Sequence, residues 1–316
     1  MWLEIFKLLF GLLILILGGD ILVNGASKIA LRLKLSPLVV GLTIVAFGTS
    51  APELLISIQS ALRDSPDIAM GNVIGSNIAN LALVLGIITI ITPIKVQKNS
   101  LILDWPVAFG SSVLLYLLVL NGYLGMVEGI VFVSMLIIYI VFVIRKSKKD
   151  QQALEIIEKE IKINEPDRKH LWQEIAFLLV GCAGLYFGAD WFVGGAQVMA
   201  NTLGVSERVV GLTIVAIGTS LPELVTSVVA SIKKETDLAL GNLIGSNIFN
   251  VLSILGITSI IKRIDVSELL VSVDMIWMMA ITLIIFPIMI TQKEIERWEG
   301  VVLLVIYLIY TYIVVF

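Results

Sequence analysis

Two glutamates sit in the middle of otherwise apolar stretches of this sequence. Glu53 ends Gly48-Thr49-Ser50-Ala51-Pro52-Glu53, and Glu223 ends Gly218-Thr219-Ser220-Leu221-Pro222-Glu223. A carboxylate at the centre of a bilayer costs at least about 2.5 kcal/mol on insertion scales, and such residues mark ion or proton paths. Pro52 and Pro222 lack the N–H that a helix interior needs. The first helix is therefore expected to kink or open around Ala46 to Gly48 and to loosen carbonyls there. Where the helix resumes, Thr49 and Glu53 share one face, as do their copies Thr219 and Glu223. A second motif places Ser76 four residues before Asn80, and Ser246 four before Asn250, with Gly71 and Gly75 expected to let backbones approach. Small and hydroxyl residues at that spacing also simply pack membrane helices, which is the reading any one Ser or Thr carries alone. The two glutamates resist it. Together the motifs supply two carboxylates, six hydroxyls and two amides, with no sulfur or imidazole among them. Those are ligands for hard cations, and two carboxylates balance one Ca²⁺ or two Na⁺.

The elements that carry these groups follow from composition. Of 316 residues, 58% are hydrophobic and 15% charged, against about 25% charged in ordinary soluble domains. Apolar runs long enough to cross roughly 30 Å of hydrocarbon recur along the chain, without the alternation of a barrel. Ten helical spans are predicted, at 3–31, 37–62, 68–92, 101–120, 125–144, 171–201, 207–232, 237–261, 268–290 and 299–315. The expected fold class is therefore an all-α polytopic membrane protein of ten transmembrane helices. The first span is read as retained, because it has neither a basic start nor an evident cleavage site for a signal peptide. Residues 145–170 form the one long polar stretch and divide the chain into 1–144 and 171–316. If that linker is cytoplasmic, sixteen Lys and Arg lie inside against five outside, the pattern of the positive-inside rule. Both termini then face outward, in a multi-pass protein of the cell membrane.

The lone Cys182 excludes an internal disulfide, and the lone His170 has no second zinc ligand near it. Asp20 and Asp190 are expected to hydrogen-bond neighbouring helices. Asp104, Asp274, Glu128 and Glu299 are expected in interfacial solvent, with Trp105, Trp172, Trp277 and Trp298 as interface anchors.

The chain repeats itself. Residues 41–53 and 211–223 are identical at 11 of 13 places, and residues 71–80 and 241–250 at 8 of 10, both with an offset of 170. Asp20 with Asp190 and Asp104 with Asp274 keep the same offset. Because each half has an odd number of spans, the second enters the membrane from the opposite side. The halves are thus expected to be two inverted-topology five-helix repeats, an arrangement that places a binding site near the midplane of secondary transporters.

The paired GTSxPE and GNxIGSNI motifs resemble the alpha repeats of the calcium/cation antiporter superfamily, especially its prokaryotic sodium/calcium exchanger branch. That resemblance implies Ca²⁺/Na⁺ antiport by alternating access, with Glu53 and Glu223 as shared carboxylates. It also implies hydroxyl ligands from Thr49, Ser50, Thr219, Ser220, Ser76 and Ser246. Backbone carbonyls of Ala46 and Ala216 and the side chains of Asn80 and Asn250 would complete the metal site. It further implies that the long first and sixth spans slide against the core bundle. Some family members carry an aspartate at the place of Asn250, so two carboxylates stand here, not three. The alternative is an H⁺/Ca²⁺ or K⁺-dependent cation/Ca²⁺ exchanger with the same site. A passive channel suits inverted repeats less well, and an intramembrane enzyme would need a nucleophile or metal triad that the motifs lack. No cofactor is expected. The expected partners are Ca²⁺ and Na⁺ as transported ions and the lipid bilayer, with no nucleic acid, and a monomer is the expected unit.

Overall fold

A computed structural model describes residues 2–157, 171–202 and 216–315. Among these, eight helices are long and apolar enough to cross a membrane, and a ninth span is a pair bent by 44°. In the first half α1 spans Trp2–Leu33, the bent pair is α2 (Pro37–Thr49) and α3 (Ala51–Leu62), and α4 spans Pro66–Ile91. After these come α5 (Ser100–Asn121) and α6 (Met126–Ile157). The second half repeats the order with α7 (Leu171–Thr202), α8 (Ala216–Thr219), α9 (Leu221–Ile232), α10 (Thr236–Ile261), α11 (Leu270–Ile290) and α12 (Arg297–Val315). The expected span 207–232 falls partly on residues 203–215, outside the described residues. Helix α6 continues to Ile157, well past the expected end of the fifth span at 144, because residues 145–157 hold good helix formers and no Gly or Pro.

Four two-residue strands reveal how the halves are related. Strand β1 (Ile94–Lys95) joins α4 to α5, β2 (Tyr123–Leu124) joins α5 to α6, β3 (Ile264–Asp265) joins α10 to α11, and β4 (Glu294–Ile295) joins α11 to α12. If the halves ran the same way, β1 would share a membrane face with its counterpart β3. Instead β1 pairs antiparallel with β4, Ile94 opposite Ile295, and β2 pairs with β3, Leu124 opposite Ile264. A loop of one half therefore meets the non-equivalent loop of the other on each face, as inverted halves require.

Helices α1 and α7 lie antiparallel with their backbones in contact. Gly11, Gly18 and Gly25 recur every seven residues on α1, and Gly181, Gly188 and Gly195 do so on α7. A Cβ built on Gly18 would sit 2.8 Å from the backbone nitrogen of Leu185, so nothing larger fits there. At one end Arg32 grips the carboxylate of Glu174 through two nitrogens, the Nη2 to Oε1 distance being 2.7 Å. The remaining helices form the bundle, whose deepest layer is the pair α4 and α10, 72% and 83% buried over their apolar windows.

Several acids and aromatics lie elsewhere than expected. Asp104 is buried, not interfacial, and accepts from Tyr139 Oη at 3.0 Å, while Asp274 is half-buried and accepts from Tyr310 at 2.9 Å. Glu299 is also buried, and both it and Glu128 accept a backbone N–H at the start of their helices, from Glu296 and Gly125 respectively. Trp105 is no anchor. Its indole N–H donates to the Thr282 carbonyl at 2.7 Å and its ring stacks on Phe286, tying α5 to α11. The physical reason is common to these cases: helices bundled in lipid bury polar groups that hydropathy alone assigns to span ends.

Replacing Gly18 with Leu is expected to destabilise the folded protein by about 1–3 kcal/mol through overpacking. The thermal unfolding midpoint in detergent should fall. Gly110→Leu, on an exposed face with nothing within 4 Å, should leave it unchanged.

Candidate functional site

The polar motifs converge where broken helices of the two halves cross. Pro52 and Pro222 sit at the second position of α3 and α9, where a missing N–H is tolerated, so each helix restarts one residue before its proline. Ser50 and Ser220 occupy the breaks, with φ/ψ of −85°/5° and −89°/7°. The carboxylates of Glu53 and Glu223 therefore issue from the first turns of two helices, where the N-terminal dipole end favours negative charge. Helix α3 packs against the π-helical segment Asn250–Leu255 of α10, and α9 against the equivalent segment Ala79–Val84 of α4. Each π segment inserts a wide turn beside a site residue, Asn80 or Asn250, a feature often found at functional sites.

Glu53 and Glu223 are both fully buried. One oxygen of Glu223 is held: Ser50 Oγ donates to Oε1 at 3.0 Å and Ser246 Oγ approaches it at 3.5 Å. Its Oε2, both oxygens of Glu53, the hydroxyls of Ser76 and Ser220, and Oδ1 of Asn80 and of Asn250 are buried with no hydrogen-bond partner among the described residues. That makes seven oxygens. Buried polar groups in native proteins are almost always satisfied, so a cluster of unsatisfied acceptors calls for a cation or proton.

The amides are aimed by a network that the sequence reading passed over. Asn80 Nδ2 donates to Asn247 Oδ1 at 3.2 Å, and Asn250 Nδ2 donates to Asn77 Oδ1 at 3.0 Å. Asn77 and Asn247 each donate in turn to the other's backbone carbonyl, at 3.4 and 3.3 Å. With their N–H₂ groups occupied in this way, Asn80 and Asn250 keep their carbonyl oxygens unpartnered. The network also suits an amide at 250, since an aspartate there could not donate to Asn77. A second layer includes Asn242, which donates to Ser227 at 3.0 Å and accepts from Thr49 at 3.2 Å, and Asn72, which donates to Ser57 at 3.1 Å. Asn72 with Asn242, Asn77 with Asn247 and Ser57 with Ser227 all keep the offset of 170. That offset, applied to every polar residue and not only to the motif ends, was the available signal.

Other expected residues fall as follows. Thr49 does not pair with Glu53; its hydroxyl faces Asn242 and Ser246 of α10 across the halves. The carbonyl of Ala46 is not loosened, because it accepts both the Ser50 N–H at 3.0 Å and the Thr49 hydroxyl at 3.3 Å. The N–H that Pro52 withholds is the one due to Gly48, four residues back. Thr219 is half-buried and lines a cavity of about 280 Å³, together with Pro52, Pro222 and Asp190. Ala216 opens α8, at the edge of the described segment. Close backbone approach is realised at Gly241 and Gly245, against Leu38 and Leu42. A Cβ built on Gly71 or Gly75 would meet no other element within 4 Å among the described residues.

Removing the acceptor that holds Asn250, in Asn77→Ala, is expected to weaken Ca²⁺ binding about 10- to 100-fold, the usual effect of losing a group that orients a metal ligand. Calorimetric titration of the purified protein measures it. Unchanged affinity would mean that the amide network does not aim the ligands.

The model of a family described as sodium/calcium exchanger protein matches residues 3–145 and 174–316. The sodium/calcium exchanger MaX1 of Methanosarcina acetivorans is 36% identical over 333 aligned positions that cover 95% of each chain. Inner membrane protein YrbG of Escherichia coli K12 is 32% identical, with 93% of this chain and 90% of that protein covered. A solved structure of the sodium-calcium exchanger NCX_Mj, soaked with 10 mM Na⁺ and zero Ca²⁺, superposes with a TM-score of 0.84 at 32% identity and covers 97% of both chains.

Proposed function

Since the chain belongs to the sodium/calcium exchanger protein family, we propose that it moves Ca²⁺ against Na⁺ by alternating access, binding both ions in turn between Glu53 and Glu223. One observation carries this reading: seven partnerless oxygens, three of them from two buried carboxylates, on helices of both halves. Ca²⁺ takes about six to eight oxygens in flexible geometry, and Na⁺ accepts the same hydroxyls and carbonyls. Glu53 and Glu223 would neutralise one Ca²⁺. Ser76, Ser220, Asn80 and Asn250 would complete its shell. Ser50, Ser246 and Thr49, now bonded to Glu223 or to α10, would turn to the cation on binding, and Thr219 stands at the cavity from which ions enter. Ala46 would contribute only when the Thr49 hydroxyl leaves its carbonyl, and Ala216 is assigned the matching role. With two carboxylates, replacing one Ca²⁺ by three Na⁺ leaves the loaded site at +1. Transport of that charge is worth about 2.3 kcal/mol per 100 mV.

In this reading residues 145–170 lie in the cytoplasm, both termini lie outside, the chain sits in the cell membrane, and one chain holds a complete site. A second reading keeps the cage and changes the coupling ion. Glu53, with neither oxygen bonded, would be neutralised as well by a proton.

The test is ⁴⁵Ca²⁺ uptake into proteoliposomes preloaded with Na⁺, with Na⁺-free, K⁺ and pH-gradient controls. Uptake is expected from the Na⁺ gradient alone and is expected to vanish in Glu53→Gln and Glu223→Gln, which fold but lack the charge. Uptake driven by a pH gradient, or requiring K⁺, would transfer the protein to the second reading. Normal uptake by either variant would refute the site.

A further inference from the structure

The two halves share their motifs, yet they stand differently against α1 and α7. On one side α1 is closed onto α9. A Cβ on Gly19 would meet the side chain of Val225 at 3.1 Å and that of Val229 at 3.5 Å. Lys233, in the turn after α9, reaches back to α1: its Nζ lies 2.6 Å from Asp20 Oδ1 and donates to Asn24 Oδ1 at 2.8 Å and to the Asp20 carbonyl at 3.4 Å. Asn24 in turn donates to the other oxygen of Asp20 at 3.0 Å.

The equivalent residues, offset by 170, are apart. Leu55 and Gln59, the counterparts of Val225 and Val229, and Ala189, the counterpart of Gly19, all line the cavity of about 280 Å³ between α3 and α7. Asp190, the counterpart of Asp20, lines the same cavity, is exposed, and makes no ion pair or hydrogen bond among the described residues. Arg63 is the counterpart of Lys233 and follows α3 as Lys233 follows α9. It too is exposed, and its side chain makes no ion pair or hydrogen bond among the described residues. Both acids and both cations are thus kept across the duplication, while only one pair is joined. Asn24 is the exception, with Gly194 in its place.

In inverted halves the arrangement of one half describes what the other adopts when access reverses. We propose that Asp20 with Lys233 and Asp190 with Arg63 are alternating gate contacts: the first joined while the α3–α7 route is open, the second joined when that route closes. On closing, α7 comes down on α3 and Arg63 meets Asp190, while α1 lifts from α9 and Lys233 releases Asp20. The helices α1 and α7 are suited to move together, since they touch backbone to backbone through their glycines. While its route is open, the free carboxylate of Asp190 adds negative charge to a vestibule that leads to Thr219 and Pro222, and so attracts cations. Arg63 removes that charge as it shuts the route. An ion pair this exposed biases the equilibrium a few-fold and does not lock it. The extra bond from Asn24, absent at Gly194, tilts the bias toward the state with the α3–α7 route open. The inference rests on the antiport reading only for the statement that both routes serve one site.

The experiment uses a Cys182→Ser background, two double variants, Asp20→Cys with Lys233→Cys and Arg63→Cys with Asp190→Cys, and a short bifunctional methanethiosulfonate. The 20–233 pair is expected to cross-link in the resting protein, and the 63–190 pair only in the fraction that has switched. Each cross-link should arrest ion flux until reduced. In the four-cysteine protein the two links should exclude each other within one molecule. Both links forming together in one molecule, or 63–190 never linking in a protein that transports, would overturn the proposal. A second series guards against cysteine damage: Asp190→Lys is expected to slow exchange roughly fivefold, the scale of an exposed pair, and added Arg63→Glu to restore it. Failure of the double variant to regain rate over Asp190→Lys would also overturn the pairing. The cross-links need no particular coupling ion. Alternating links in a protein without Na⁺-driven Ca²⁺ uptake would sink the proposed function and keep the gate, and the reverse result would do the opposite.

Discussion

Two fully buried carboxylates, one from each half and neither in an ion pair among the described residues, are the constraint on which the rest of this structure depends. Burying one unpaired charge costs several kcal/mol, and a second like charge adds repulsion. At Glu53, whose oxygens have no hydrogen-bond partner among the described residues, the N-terminal end of α3 offsets this only in part. A fold that keeps such a pair needs a positive ion or a proton there for part of its cycle. It also needs a way for that ion to arrive and leave, which a static buried site would deny. The helix breaks at Ser50 and Ser220 serve both needs: they turn two helix N-termini toward the carboxylates and interrupt the spans where a route must open.

The amide network has a complementary role. Asn77 and Asn247 accept from the side-chain N–H₂ groups of Asn250 and Asn80, which leaves the carbonyl oxygens of these two amides unpartnered. Amide N–H groups in their place would repel a cation. Because every bond among Asn77, Asn80, Asn247 and Asn250 joins one half to the other, the cluster exists only when the halves are assembled. The paired strands at both faces and the contacts of α3 and α9 with opposite π segments hold that assembly together.

Much of this was legible in the sequence because the duplication marks the polar residues that the fold brings together. Two GTSxPE copies and two GNxIGSN copies, at one offset, located the broken helices, the carboxylates and the inverted halves. What escaped notice has physical reasons. A π segment such as Asn250–Leu255 differs from an α-helix by one residue in a turn, and its apolar sequence gives no sign of it. Asn77 and Asn247 look like ordinary helix-packing residues until the two halves are placed face to face. The Ala46 carbonyl was expected to be loosened but stays bonded, because a proline at the second position of a restarted helix disrupts less than one in mid-helix. Asp104 and Trp105 were sent to the interface by hydropathy, which does not see the Tyr139 and Thr282 groups that satisfy them inside. The inequality of the halves, with Asp20 paired and Asp190 unpaired among the described residues, is invisible in a sequence that carries Asp, basic residue and motif alike in both halves. It belongs to the conformation.

The central claim is that one cage of oxygens takes Ca²⁺ and Na⁺ by turns. Equilibrium ⁴⁵Ca²⁺ binding to the purified protein, measured across a series of Na⁺ concentrations, tests it most directly. The account predicts one Ca²⁺ per chain and competitive displacement, with Na⁺ raising the apparent dissociation constant while the number of sites stays the same. Ca²⁺ binding indifferent to Na⁺, or Na⁺ lowering the number of sites without changing their affinity, would contradict a shared site.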